Sequence, residues 1–92
     1  MPVRPRKSPG VYDEVLPDGG LVLFHSQGAL ILTLNPTAAL IWEYCDGTHD
    51  VDAIAAQLRD VFPAASGAER DVRSLLGTLC EAGMIADAPA AS

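Results

Sequence analysis

Cysteine and histidine, the side chains most often used as nucleophiles and metal ligands, are few and dispersed in this sequence. Cys45 and Cys80 form no Cys-x-x-Cys pair and no cluster with histidine at metal-ligand spacing. Both lie in apolar stretches of helical periodicity, so we expect small, buried or nearly buried thiols that stay reduced. His25 follows an apolar run at a predicted turn and His49 precedes a predicted helix, which favours surface or capping roles over catalysis.

Carboxylates occur in pairs that would suit acid–base catalysis if they faced each other across a cleft. Asp50 with Asp52, and Glu69 with Asp71, instead lie at predicted helix starts, where a negative charge favours the positive end of the helix dipole. The glycines fall at turns and helix ends and show neither phosphate-loop nor GxGxxG spacing. We therefore expect no catalytic centre, no bound metal and no cofactor.

Charge is unevenly distributed along the chain. The net charge is −6, but Arg4, Arg6 and Lys7 make the N-terminus basic, and residues 8–92 set twelve acidic side chains against three arginines, a net charge of −9. An acidic body repels phosphate and anionic lipid, so we expect binding neither to nucleic acid nor to a membrane surface. There is no run of 18 apolar residues and no signal-peptide core, which favours a cytoplasmic protein.

The elements that position these side chains begin with three predicted strands. Apolar patterning favours strands at residues 11–16, 21–25 and 29–34, where the first turn contains proline and glycine and the second contains glycine. Short consecutive strands of this kind form an antiparallel meander, whose apolar face needs a covering layer of helices. A chain of 92 residues is expected to fold as one domain around a modest core.

The third strand passes into a helix without an intervening loop. Asn35 can accept from the first free helical N–H groups, and Pro36 suits the first helical position. We expect this helix to run from Pro36 to about Asp46 and to be stopped by Gly47, with Trp42 as an anchor in the core. Such a corner fixes the angle between the sheet and the helical layer, and so shapes a groove between them.

Two amphipathic helices complete the predicted domain. Asp50 is the predicted N-cap of the second helix, and Pro63 ends it. Ser66 and Glu69 form a predicted capping box for the third helix, and Gly83 ends it. The predicted apolar stripe of the second helix consists of Val51, Ile54, Ala55, Leu58, Val61 and Phe62.

A helical projection divides the side chains of the third helix between the core and one flank. It places Val72, Leu75 and Leu79 at the core and Leu76 at its margin. Beyond Leu76 on the same flank lie Arg73, Gly77 and Cys80. After this helix we expect a short extended segment at residues 84–85. The predicted domain covers residues 10–86, between a flexible basic tail at residues 1–9 and a frayed C-terminus at residues 87–92.

These elements make an α+β domain, in which a three-stranded antiparallel meander precedes three helices. The ordered set of short motifs between residues 11 and 86 resembles the pyrroloquinoline quinone biosynthesis protein D family. The motifs are Leu34-Asn35-Pro36-Thr37-Ala38-Ala39, Ile41-Trp42, Cys45-Asp46-Gly47, Val51-Asp52-Ala53-Ile54, Phe62-Pro63 and Gly83-Met84-Ile85.

The resemblance implies a small winged-helix-like fold and a function without catalysis. It implies a leader-peptide recognition element of a ribosomal peptide-modification pathway: a chaperone that binds a precursor peptide. The chaperone would present the peptide to a radical S-adenosylmethionine (SAM) enzyme, which crosslinks a Glu and a Tyr in it.

The resemblance places the peptide on the open edge of the third strand, facing the third helix. An extended peptide can add there as a further strand, because an edge strand has unpaired N–H and C=O groups. Gly77 either permits close approach of the peptide backbone or is simply tolerated on an exposed face. The predicted peptide-binding residues are Ala29, Leu30, Ile31, Leu32, Thr33, Arg73, Leu76, Gly77 and Cys80.

Other interpretations stay open. Leader-recognition domains of other ribosomal peptide pathways share the Leu-Asn-Pro-Thr pattern, and the open strand edge can instead pair with a second copy to give a homodimer. A winged-helix DNA-binding protein would have the same elements but a basic recognition helix, whereas the third helix here is acidic. A small enzyme would need a nucleophile or cofactor site that the sequence does not show.

Overall fold

Three antiparallel strands form the main sheet, in the chain order that the sequence predicts. The computed structural model describes residues 4–26, 31–63 and 67–86. The main sheet has the order β2-β3-β4, and β1 pairs with β5 in a separate two-stranded sheet. The α+β class is thereby confirmed, while the winged-helix likeness stays a prediction. In chain order the elements are β1 (Arg6–Lys7), β2 (Val11–Val15), β3 (Leu21–His25), β4 (Ile31–Leu34), α1 (Pro36–Glu43), α2 (Val51–Val61), α3 (Ala68–Glu81) and β5 (Ile85–Ala86).

One face of the main sheet, its inner face, is apolar. Leu21 lies opposite Leu34, and Leu23 lies opposite Leu32, in the antiparallel register. Leu21, Leu23 and Leu34 are buried, and Leu32 is half-buried at the border of the core. The alternation that the sequence predicts therefore directs one set of side chains from β3 and β4 into the core.

The hairpin between β2 and β3 turns at the predicted proline- and glycine-rich sequence. Gly19 has a φ of +91°, in the left-handed region that side chains disfavour. The N–H of Gly20 donates to Oδ1 of Asp18 over 2.8 Å, and a Cβ at Gly20 would collide with the carbonyl oxygen of Leu34. Glycine therefore lets this turn approach the end of β4 closely.

Both predicted side-chain caps at the starts of α1 and α2 are confirmed. Oδ1 of Asn35 accepts from the N–H of Ala38 over 2.8 Å, and Oδ1 of Asp50 accepts from the N–H of Ala53 over 2.8 Å. The helix α1 is shorter than predicted, because it ends at Glu43 rather than near Gly47. At its end the N–H of Tyr44 donates to the carbonyl of Ile41, and the N–H of Cys45 donates to the carbonyl of Trp42, so these hydrogen bonds join residues three apart.

The core lies where the helices meet the inner face of the main sheet. The helix α2 packs mainly against α3, and α1 contacts α2, α3 and β4. Val61 and Phe62, which the sequence places in the buried stripe of α2, remain 50% and 38% exposed, because they lie at the end of the helix. The buried apolar residues are Leu21, Leu23, Leu34, Ala39, Ile41, Trp42, Cys45, Val51, Ile54, Ala55, Leu58, Ala68, Val72, Leu76, Leu79, Met84 and Ile85.

The helix α3 begins one residue later than a Ser66 cap would require. Gly67, with a φ of +73°, takes the N-cap position without a side-chain hydrogen bond, and Ser66 lies outside the described residues. Glu69 instead approaches Arg73, with 3.5 Å between Oε1 and Nη2. The predicted capping box is therefore not the start of α3.

Part of the N-terminal segment, which the sequence assigns to a flexible tail at residues 1–9, pairs with other elements of the structure. Residues 6 and 7 form β1, which pairs antiparallel with β5. The N–H of Lys7 donates to the carbonyl of Cys45 over 3.1 Å, and the N–H of Gly47 donates to the carbonyl of Pro5 over 2.9 Å. These bonds join residues 5 and 7 to the segment that follows α1. The short extended segment predicted after α3 is confirmed as β5.

Among the described residues, no helix has both the length and the apolar character needed to cross a bilayer.

Candidate functional site

The open edge of β4 is the main feature of the candidate site. In the described part of the chain, β4 pairs with β3 along one side, and no strand pairs with its other side. Unpaired N–H and C=O groups at such an edge can form hydrogen bonds with an added strand. Ile31 is 65% exposed, whereas Leu32 packs against the border of the core. The edge therefore combines free backbone groups with apolar side chains on both of its faces.

The helix α1 connects this edge to α3. It follows β4 directly through the Asn35 cap, and it contacts both β4 and α3. Two of its side chains, Ala38 and Leu40, are half-buried against the core, as are Leu32 of β4 and Leu75 of α3. The border of the core therefore carries partly exposed apolar surface on each of these three elements.

The predicted residues of α3 divide into two groups. Arg73 and Cys80 are exposed, and Gly77 is half-buried with no atom within 4 Å of the position that a Cβ would take. These three positions lie at spacings of four and three residues and share one flank of α3, as predicted. Leu76, however, is fully buried and belongs to the core. Its side chain has no exposed surface with which to contact a ligand.

Leu75 and Leu76 exchange the environments that the sequence predicts for them. Leu76 is fully buried, whereas Leu75 is only partly buried at the border of the core. The helix is rotated so that Ala68, Val72, Leu76 and Leu79 form its buried stripe. A projection of the sequence could not separate the two leucines, because the orientation of α3 is set by its contacts with α2 and α1.

The predicted residues of β4 are only partly within the described structure. Ile31, Leu32 and Thr33 lie on the strand, with Ile31 and Thr33 on the face opposite to Leu32. Ala29 and Leu30 lie outside the described residues.

The polar groups of the helical flank are accessible. Arg73 and Glu69 are about half exposed and separated by 3.5 Å. Exposed ion pairs of this kind contribute little to stability, so the guanidinium of Arg73 can exchange Glu69 for an anionic group of a ligand at small cost. This flank of α3 therefore carries the guanidinium of Arg73, the thiol of Cys80 and, at Gly77, a backbone position without a side chain.

The two thiols have different environments, so the prediction of buried or nearly buried thiols is confirmed for Cys45 and wrong for Cys80. Cys80 is exposed, whereas Cys45 is fully buried, and its Sγ donates to the carbonyl of Ile41 over 3.4 Å. Burial raises the pKa of Cys45 to about 12, an effect that Lys7 opposes and Asp46 reinforces. Cys45 therefore stays protonated and is a structural residue rather than a nucleophile.

A polar cluster in the loop between α1 and α2 has a local role. Oδ1 of Asp46 accepts from the N–H of Thr48 over 2.9 Å, from its hydroxyl over 2.6 Å, and contacts Nδ1 of His49 over 3.0 Å. The hydrogen bonds from Thr48, followed by that from His49, hold the pKa of Asp46 well below its ordinary value. The ring of His49 meets that of Tyr44 edge-on at 5.0 Å. These contacts place the half-buried His49 in a local cluster just before α2.

No group of three or more His, Cys, Asp and Glu side chains in residues 4–26, 31–63 and 67–86 could hold a metal ion.

The fold is that of a class of small domains whose solved examples include complexes with leader peptides. The lasso peptide synthetase B1 complexed with the leader peptide superposes with a TM-score of 0.76 at 29% identity, over 90% of this chain and 98% of that chain. TbiB1 in complex with the TbiA(beta) leader peptide shares the fold with a TM-score of 0.75 at 21% identity, over 87% of this chain and 93% of that chain.

The chain belongs to the family of coenzyme PQQ synthesis protein D (PqqD), whose model matches residues 20–85. It is 42% identical over 60 residues to the PqqA binding protein of Klebsiella pneumoniae (strain 342), covering 65% of this chain and 63% of that protein. It is 39% identical over 64 residues to the PqqA binding protein of Methylococcus capsulatus (strain ATCC 33009 / NCIMB 11132 / Bath), covering 70% and 66%. The chain thus spans slightly less than two thirds of the length of these relatives.

Proposed function

We propose that this protein is a peptide chaperone of pyrroloquinoline quinone biosynthesis, which binds the precursor peptide PqqA as an added strand on the open edge of β4. The unpaired edge of β4 is the observation that carries this proposal. Membership of the PqqD family and the PqqA binding relatives support the choice of peptide. The chain acts by holding the peptide, and a radical SAM enzyme performs the chemistry.

The expected energetics require side-chain contacts in addition to backbone pairing. Four strand residues offer about four backbone hydrogen bonds, worth roughly 0.5–1.5 kcal/mol each. Ordering a similar number of peptide residues costs about 1–2 kcal/mol each. Because these terms roughly cancel, two or three apolar anchors of about 1.5–3 kcal/mol each are needed for micromolar affinity. The half-buried side chains of Leu32, Ala38 and Leu40 are candidates to receive them.

The helical flank of α3 is proposed to lie along the other side of the peptide. Arg73 can receive an acidic side chain of the peptide, and Gly77 leaves open space for its backbone. We place the protein in the cytoplasm, where an exposed thiol such as that of Cys80 stays reduced.

A second candidate is leader recognition in another ribosomal peptide pathway. The observation that favours it is the match to the lasso peptide synthetase B1, which covers nearly the full length of both chains. The two candidates use the same edge and differ in the peptide that is accepted. Competition between PqqA and a lasso leader peptide for the protein distinguishes them.

N-methylation of the peptide backbone tests strand addition without altering the protein. A set of PqqA peptides, each N-methylated at one residue, is titrated into the wild-type chain by calorimetry, with a scrambled peptide as control. Strand addition predicts an alternating pattern, because only every second N–H of an added strand points toward β4. Equal losses at all positions, or no loss at any, would contradict this binding mode. Absence of binding by unmodified PqqA would overturn the proposed function itself.

A further inference from the structure

The outer face of the main sheet carries a row of apolar side chains that the core does not use. Tyr12 lies opposite Phe24, and Phe24 lies opposite Ile31, so the three residues form one row across β2, β3 and β4. The rings of Tyr12 and Phe24 stack with their centroids 5.8 Å apart. Tyr12 is 55% exposed and Ile31 is 65% exposed. We call these three residues the outer row.

The outer row ends at the edge where the peptide is proposed to bind. Residues that lie opposite each other in a sheet project to the same face. A peptide residue that pairs with Ile31 would therefore place its side chain on the outer face as the next member of the row. The outer row and the outward side chains of the peptide would form one continuous surface.

We propose that the outer row docks the enzyme that modifies the bound peptide, an inference that rests on the proposed function. The enzyme surface that fits it is an apolar patch bordered by basic side chains. An enzyme seated there contacts the protein and the outward side chains of the peptide together. It therefore recognises the loaded protein in preference to the empty one.

The surface area of the outer row favours the peptide-modifying enzyme over a second copy of the chain as its partner. A large aromatic side chain buries about 150–250 Å², so three half-exposed side chains offer roughly 300 Å². A stable interface needs about 800 Å² on each partner. The outer row alone falls short of that area, and the outward side chains of an added peptide strand would enlarge it.

The charge of the chain also favours the enzyme over a second copy of the chain as the partner. The chain carries a net charge of −6, and Glu14 lies on the outer face of β2 two residues from Tyr12. Two copies docked through this face would bring like charges together, whereas a basic partner would be attracted.

The test compares two exposed positions of β2 that point to opposite faces. Tyr12→Thr removes an outer-row side chain, and Val15→Thr is the matched control, since Val15 is 72% exposed on the same strand. For each variant, the affinity for PqqA alone is measured first, and then the affinity of the radical SAM enzyme for the protein–peptide complex. Tyr12→Thr should weaken enzyme binding by about tenfold with peptide affinity unchanged, and Val15→Thr should change neither.

Three results would overturn the proposal. The first is equal enzyme affinity for wild type and Tyr12→Thr, and the second is an equal loss of enzyme affinity in Tyr12→Thr and Val15→Thr. The third is a wild-type dimer in sedimentation that Tyr12→Thr dissociates, which would assign the outer row to self-association. Failure of wild type to bind PqqA would instead overturn the proposed function, so the two failures are distinguishable. A photo-crosslinking benzoylphenylalanine at position 12, but not at position 15, should capture the enzyme.

Discussion

The indole Nε1 of Trp42 donates a hydrogen bond to Oδ2 of Asp13 over 2.9 Å, joining the first helix to the edge strand β2. Trp42 is almost fully buried, and Nζ of Lys7 lies 5.1 Å from the centroid of its ring. The side chain of Trp42, on α1, therefore contacts both β1 and β2. This contact helps to fix the corner between the sheet and the helical layer.

Loss of the Asp13 carboxylate should destabilise the fold. Asp13→Ala leaves a largely buried indole N–H without its charged acceptor, so we expect the free energy of unfolding to fall by about 1–3 kcal/mol. Asp13→Asn keeps an acceptor and should lose less. Glu14→Ala, on the same strand but the outer face, is the control. Urea unfolding followed by Trp42 fluorescence measures all three, and equal stability of Asp13→Ala and Glu14→Ala would contradict the role of this bond.

The two adjacent leucines of α3 should differ in their contributions to stability. Leu76→Ala creates a cavity in a fully buried site and should cost about 2–5 kcal/mol of unfolding free energy. Leu75→Ala removes a partly exposed side chain and should cost about 1 kcal/mol. Thermal and urea denaturation of the pair measures the difference. A larger loss for Leu75→Ala would mean that α3 has the orientation that the sequence projection favoured.

Gly77→Ala should move stability and peptide binding in opposite directions. Gly77 lies inside a helix, and an added Cβ would meet no atom within 4 Å, so we expect a gain of about 0.5–1 kcal/mol in stability. If the peptide backbone passes close to this position, the methyl group should weaken PqqA binding by about tenfold.

Gly83→Ala provides the matched control for Gly77→Ala. It also has open space but a φ of +75°, so the substitution should destabilise the fold by about 1–2 kcal/mol. Unchanged PqqA affinity in Gly77→Ala would support the alternative that Gly77 is simply tolerated on an exposed face.

The two thiols should differ in reactivity. Cys80 is exposed and should react with a thiol reagent in the folded protein, whereas Cys45 is buried, with its pKa raised to about 12, and should react only on unfolding. Cys80→Ser should therefore abolish native labelling. Saturation with PqqA should slow the labelling of Cys80 if the peptide covers this flank of α3. Fast native labelling of Cys80→Ser would contradict the burial of Cys45.

Local interactions explain what the sequence predicts well. Asn35 and Asp50 are identified as helix caps because each cap bonds a backbone N–H three residues later. The strands β2, β3 and β4 follow from alternation and turn residues. The family resemblance, carried by motifs at fixed spacings, is confirmed by the PqqD family model.

Long-range contacts explain what the sequence does not predict. Strand β1 has only two residues, which show no periodicity, and its partner β5 comes from the other end of the chain. The burial of Leu76 and the exposure of Cys80 depend on how α3 packs against α2 and α1, which neighbouring residues do not determine. The binding role of the β4 edge and the α3 flank stays a proposal.

An amide NMR titration of the labelled protein with PqqA tests the central claim most directly. Strand addition predicts large shifts, and protection from hydrogen exchange, in β4 (Ile31–Leu34), with further shifts at Arg73, Gly77 and Cys80 on α3. The amides of β2, on the other edge of the sheet, serve as the internal control and should shift little. Shifts that are centred on β2 or α2, with β4 unchanged at saturating peptide, would contradict the proposed binding edge.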